Sequence, residues 1–65
     1  MEYNNLIERN SEILQGKPVI KGTRISVELI VRKIANGFSV EKILESYPHL
    51  SLKHISASLE YAANR

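Results

Sequence analysis

Residues 39–62 read SVEKILESYPHLSLKHISASLEYA, and this stretch decides the fold. Ser39 and Ser51 each precede an apolar run, where a serine hydroxyl accepts a bond from an otherwise unpaired backbone N–H and starts a helix. After Ser39, the residues Val40, Ile43, Leu44 and Tyr47 recur at helical spacing. Glu41 stands in the first turn, where the helix dipole favours an acid, and Pro48 ends the run. After Ser51 a second stripe follows, Leu52, Ile55, Leu59 and Ala62, and this spacing predicts that these four face inward. Leu50 is expected to plug the space between the two helices. A helix, a short turn and a helix form the layout of a helix-turn-helix, whose second helix enters the DNA major groove. The turn commonly holds glycine, and here it holds Pro48, which points to a tri-helical variant.

Upstream, Ser26 is a third cap. Val27, Ile30, Val31 and Ile34 form its apolar stripe, and Gly37 after Asn36 is a stop, since glycine takes left-handed backbone cheaply. The predicted helices are therefore 26–36, 39–48 and 51–63. Residues 1–25 form a non-helical arm. Within it Pro18-Val19-Ile20-Lys21 lies between Gly16 and Gly22 and reads as a short strand. Leu6-Ile7 or Ile13-Leu14 supplies its partner. A lone hairpin is marginal in water, so it must pack on the helices or pair with a second chain. The expected fold is mainly α: a three-helix bundle with a helix-turn-helix, preceded by a short N-terminal β-strand or hairpin.

Sixty-five residues allow one domain. A chain of this size buries only about 60% of its unfolded surface, so domains this small usually need a staple. With no cysteine there is neither a disulfide nor a thiolate zinc site. A partner or a homodimer is the expected source of extra stability, and an unpaired strand edge is a natural place for it. MEYNNLIERN has no secretory pattern, and no stretch approaches the roughly 20 apolar residues of a membrane helix. The expected compartment is cytoplasmic, with no membrane contact.

The net charge of +2 is unevenly spread. Residues 1–16 carry three acids and one base, a balance of −2. Residues 17–33 carry Lys17, Lys21, Arg24, Arg32 and Lys33 against Glu28, a balance of +4. Such a patch can attract nucleic acid or an acidic protein. Its core, GKPVIKGT at 16–23, has phosphate-cradling ingredients. It is not a nucleotide loop. That motif needs lysine after the second glycine and a helix starting there, whereas Lys21 precedes Gly22 and Pro18 lacks an N–H.

The runs ILQGKPVIKGTRISV, IANGFSVEKILESYPHLS and ISASLEYA closely resemble a bacterial and archaeal family known as domain of unknown function 433. The resemblance extends from about Ile7 to Ala62. It implies a homeodomain-like three-helix fold with a short β element. It also implies an antitoxin role, with a PIN-like ribonuclease toxin as partner. No catalytic residues come with it.

Operator DNA is the second expected partner. At about 100° per residue, Lys53, His54, Ala57, Ser58, Tyr61, Asn64 and Arg65 fall opposite the predicted inward stripe of the last helix. Lysine and arginine reach phosphates or guanine; serine and tyrosine reach phosphate oxygens. Lys21 and Arg24 precede the first helix as the basic arm of a homeodomain does. The candidate DNA-binding set is Lys21, Arg24, Lys53, His54, Ser58, Tyr61 and Arg65. Glu60 flanks the same face and repels phosphate, so the competing expectation is a protein-interaction module that binds no DNA.

Catalysis is not expected. His49 and His54 lack the i, i+4 spacing of a helical metal pair, and Glu41 and Glu45 sit on a solvated face. Ser26, Ser39 and Ser51 are explained as caps rather than nucleophiles. No cofactor or metal is called for. With no separate tail after the third helix, toxin contact is expected from the folded domain or from residues 1–15.

Overall fold

The computed structural model describes residues 5–64. Two short strands, β1 (Ile7–Arg9) and β2 (Pro18–Ile20), precede three helices, α1 (Val27–Ala35), α2 (Val40–Ser46) and α3 (Leu52–Asn64). The fold is the three-helix bundle with an N-terminal hairpin that the sequence predicts.

The strands are antiparallel, with Ile7 opposite Ile20, Glu8 opposite Val19 and Arg9 opposite Pro18. Of the two candidate partners, Leu6-Ile7 is the one used. Ile13-Leu14 instead lies in the connection, where Leu14, Gln15 and Gly16 all take positive φ, at 48°, 59° and 85°. Arg9 Nε donates to the Gly16 carbonyl at 3.0 Å and fixes this left-handed turn to β1.

The strand β2 is bonded on both sides. One edge meets β1; the other bridges Val19 to Ser26, and Ile20 donates its N–H to the Ile25 carbonyl at 2.8 Å. Among the described residues β2 is thus the inner strand, and β1 is the outer one. Thr23 holds the turn between, its hydroxyl donating to the Ile20 carbonyl at 2.8 Å and accepting from the Ile25 N–H at 3.0 Å.

Two of the predicted caps have the expected form. Ser26 accepts from Leu29 N–H at 3.0 Å and Ser39 from Lys42 N–H at 3.1 Å. Ser51 differs. His54 Nδ1 reaches back to accept the Ser51 backbone N–H at 3.0 Å and lies 3.1 Å from the Ser51 hydroxyl. The side chain in the third helical position thus does the capping, the reciprocal half of a capping box.

The core is built from Ile7 and Ile20 of the hairpin, Val27 and Ile30 of α1, Ile43 of α2, Leu50 of the turn, and Ile55 and Ala57 of α3. Leu50 is buried between the helices as expected. The hairpin packs on the bundle, which resolves its marginal stability within one chain.

Candidate functional site

The helix α3 is rotated relative to the simple apolar-stripe reading. Leu52 and Leu59, predicted inward, are 60% and 39% exposed. Ala57 and Ser58, predicted outward, are buried. Ile55 remains inside, and Tyr61 and Ala62 are half-buried against the core. The buried arc is turned by about a quarter of a turn from the predicted one, at 100° per residue. Its buried side carries the small residues Ala57 and Ser58, which let neighbouring elements approach closely where leucines would hold them apart. α1 is the helix on which α3 chiefly packs, and Tyr61 and Ala62 lie beside its Val27 and Val31.

Burying Ser58 leaves no polar atom stranded. Its hydroxyl donates to the His54 carbonyl one turn earlier at 2.9 Å. This contact removes Ser58 from the candidate DNA-binding set, since a wholly buried hydroxyl cannot reach a phosphate. Tyr61 packs against the core instead of lying on the open face. His54 is engaged at the cap of its own helix through Nδ1. Arg65 lies outside the described residues.

Lys21, Arg24 and Lys53 are exposed. Lys21 donates its backbone N–H to the Leu6 carbonyl at 2.8 Å. Leu6 in turn lines an open groove of about 550 Å³ with Asn5, Leu52, Lys53, Ser56, Ala57 and Glu60. Lys53 thus lines this groove, whereas Lys21 meets Leu6 through its backbone and is not among the lining residues. Arg24 has no ion pair or hydrogen bond among the described residues.

The basic segment is less free than its composition implies. Glu28 carries both Lys17, at 3.6 Å, and Arg32. Lys33 Nζ sits 4.7 Å from the centre of the Phe38 ring, a cation–π contact. These are pairs of small energy, yet they partly balance the patch and, among the described residues, leave Lys21 and Arg24 as its open cations. The glycine loop is also occupied from within: Gly22 N–H donates to Glu8 Oε2 at 3.1 Å. A second open groove, about 490 Å³, runs between Lys17, Pro18, Glu28, Val31, Arg32 and Tyr61. Among the described residues no three His, Asp or Glu side chains gather as a metal set. No helix among them is long and apolar enough to cross a membrane.

The feature that the inward-stripe reading missed is the outer face of α3: Leu52, Lys53, Ser56, Leu59 and Glu60, all exposed. Its signal was present as a seven-residue repeat, Leu52-Lys53 followed by Leu59-Glu60. Leucines at this spacing look like core until the small residues between them are given the inward side.

A three-helix domain with an N-terminal hairpin and an exposed leucine-bearing face on its last helix is thus defined. The chain belongs to the family described as "Protein of unknown function (DUF433)", which matches residues 7–62. It is similar to the uncharacterized protein y4eO of Sinorhizobium fredii, at 37% identity over 57 residues, 88% of this chain and 26% of that protein. The chain spans about a quarter of the length of this curated relative. The crystal structure of a DUF433 member from Anabaena variabilis superposes with a TM-score of 0.91 at 26% identity, covering 98% of this chain and 63% of that one.

Proposed function

We propose that this chain is a non-catalytic binding protein of antitoxin type, which restrains a partner ribonuclease through protein contacts made by the outer face of α3. The observation that carries the reading is the pair Leu52 and Leu59, 60% and 39% exposed on one side of the helix. Exposed apolar residues grouped on one face mark a protein contact, whereas a nucleic-acid face is dominated by cations and polar donors. Here Lys53 is offset by Glu60 on the same face. The antitoxin form of this reading rests on the likeness of GKPVIKGTRISV and the downstream runs to the family; the protein-contact form rests on the face itself.

Operator binding is the second reading. It is favoured by the α2–turn–α3 arrangement and by the exposed cations Lys21, Arg24 and Lys53. One experiment separates the two. The purified chain is titrated into a purified PIN-like ribonuclease, with cleavage of a fluorescent RNA as readout. In parallel it is titrated against upstream and shuffled DNA at two salt concentrations. Loss of cleavage that Leu52→Asp abolishes supports the protein-contact reading. Salt-resistant preference for the upstream DNA, with cleavage unaffected, overturns it in favour of the operator.

A further inference from the structure

The outer face of α3 carries two pairs of residues spaced seven apart, Leu52 with Leu59 and Lys53 with Glu60. Seven residues are about two turns, so each pair lies along one line of the helix, roughly 10.5 Å from end to end. The leucines occupy one flank of the face and the charges the other, with Ser56 between them. The midpoints of both pairs fall within half a residue of Ser56.

That symmetry has a consequence for pairing. If two such helices meet antiparallel about a two-fold axis at Ser56, like flanks meet like flanks and the direction of each is reversed. Leu52 then opposes Leu59 of the second copy on one flank. Lys53 opposes Glu60 of the second copy on the other, and each contact occurs twice, as an isologous interface requires. Ser56 at the crossing point is small enough for close approach. A parallel pairing fails on the same face, because a two-fold along the helices sets the leucine flank of one copy against the charged flank of the other and leaves Lys53 and Glu60 facing leucine without a partner.

We propose that the outer face of α3 is a self-complementary homodimer interface, occupied by the α3 of a second copy of this chain in antiparallel register about Ser56. The inference rests on reading this face as a docking surface: the second copy covers it in the free protein, and the ribonuclease competes with that copy for it. The charge pattern selects a second copy over an unrelated protein: each half of the face carries the complement of the other half. It also covers apolar surface that a domain of this size leaves open.

The test is sedimentation velocity across a range of concentrations, with circular dichroism confirming that each variant is folded. Lys53 and Glu60 are exposed, so Lys53→Glu and Glu60→Lys change the charge pattern without touching the core. Wild type sediments as a dimer. Each variant alone faces two opposed like-charge pairs and associates roughly tenfold more weakly. An equimolar mixture of the two restores association. In the mixed dimer the introduced carboxylate of one variant meets the introduced amine of the other, and the native Glu60 of the first meets the native Lys53 of the second. A wild-type monomer at all concentrations overturns the proposal, as does a dimer that neither variant weakens or that the mixture fails to restore. The docking-face reading is judged apart from this, by whether Leu52→Asp abolishes restraint of the ribonuclease. If it does while wild type is monomeric, the face binds a foreign protein and only the second copy is excluded.

Discussion

The Ser58 hydroxyl donates to the His54 carbonyl at 2.9 Å inside α3 and is wholly shielded from solvent. The acceptor is the carbonyl one turn back, so a small polar side chain can occupy a helix–helix contact without leaving an unpaired group. Among the described residues, no buried side-chain nitrogen or oxygen lacks a partner. Ser58 therefore behaves as a core residue with an internally satisfied hydroxyl.

Ser58→Ala is expected to change stability by less than about 1 kcal/mol, since the lost hydrogen bond is offset by better helix propensity and strands no buried polar group. Ser58→Leu overfills the buried side of α3 and is expected to cost about 1–3 kcal/mol. Urea denaturation of the two variants measures the contrast. A solvent-facing Ser58 would show nearly equal, small effects.

The caps of α1 and α2 make a second comparison. Ser26→Ala removes the acceptor of the Leu29 N–H and Ser39→Ala that of the Lys42 N–H. Each is expected to cost about 1 kcal/mol. In a domain this small, that lowers the melting temperature by about 4–8 °C. Calorimetry on both single variants and the pair checks the values, and the distance between the caps predicts near-additivity.

The left-handed turn offers a stabilising change. Gln15 holds φ at 59° with an exposed side chain, a conformation that costs a non-glycine residue about 1–2 kcal/mol. Gln15→Gly relieves that strain and loses part of the gain to greater freedom of the unfolded chain. The expected net effect is a gain of about 0.5–1 kcal/mol, read as a higher urea midpoint with an unchanged slope.

A surface variant separates docking from stability. Leu52→Asp replaces a leucine that is 60% exposed and is expected to shift stability by no more than about 0.5 kcal/mol. Ile43→Ala, at a side chain 1% exposed, is expected to cost about 2–5 kcal/mol, much of the stability that a small domain holds. Thermal melts that rank the two the other way would reverse the assignment of inside and outside.

Much of this fold was legible in residues 26–51. Ser26 and Ser39 declare helix starts through the hydrogen bonds they make, Gly37 takes φ of 95° where a stop is needed, and Leu50 fills the turn. The phase of α3 was not legible. Its apolar residues Leu52, Ile55, Leu59, Ala62 and Ala63 fall within about 100° of arc, so spacing and residue type alone both point to the leucine side. The neighbours decide it: the elements packed on α3 bury Ala57 and Ser58, and nothing within residues 52–64 announces how close those neighbours come. The candidate site was lost by the same cause, because Ser58 and Tyr61 were assigned to the open face while the seven-residue repeat was read as core.

Ser26 makes three contacts that join two structures. It bridges to Val19 of β2, caps α1 through the Leu29 N–H, and its carbonyl accepts the Ile30 N–H at 3.3 Å. The sheet and the first helix consequently share a residue rather than a linker, and α1 lies in turn against α3. No element can be peeled from the others without opening a bond at Ser26 or the core beneath it. Amide exchange in this domain therefore proceeds through one shared opening: the protons of Val19, Ile20, Leu29 and Ile30 exchange at a common free energy, and the chain opens as a single unit.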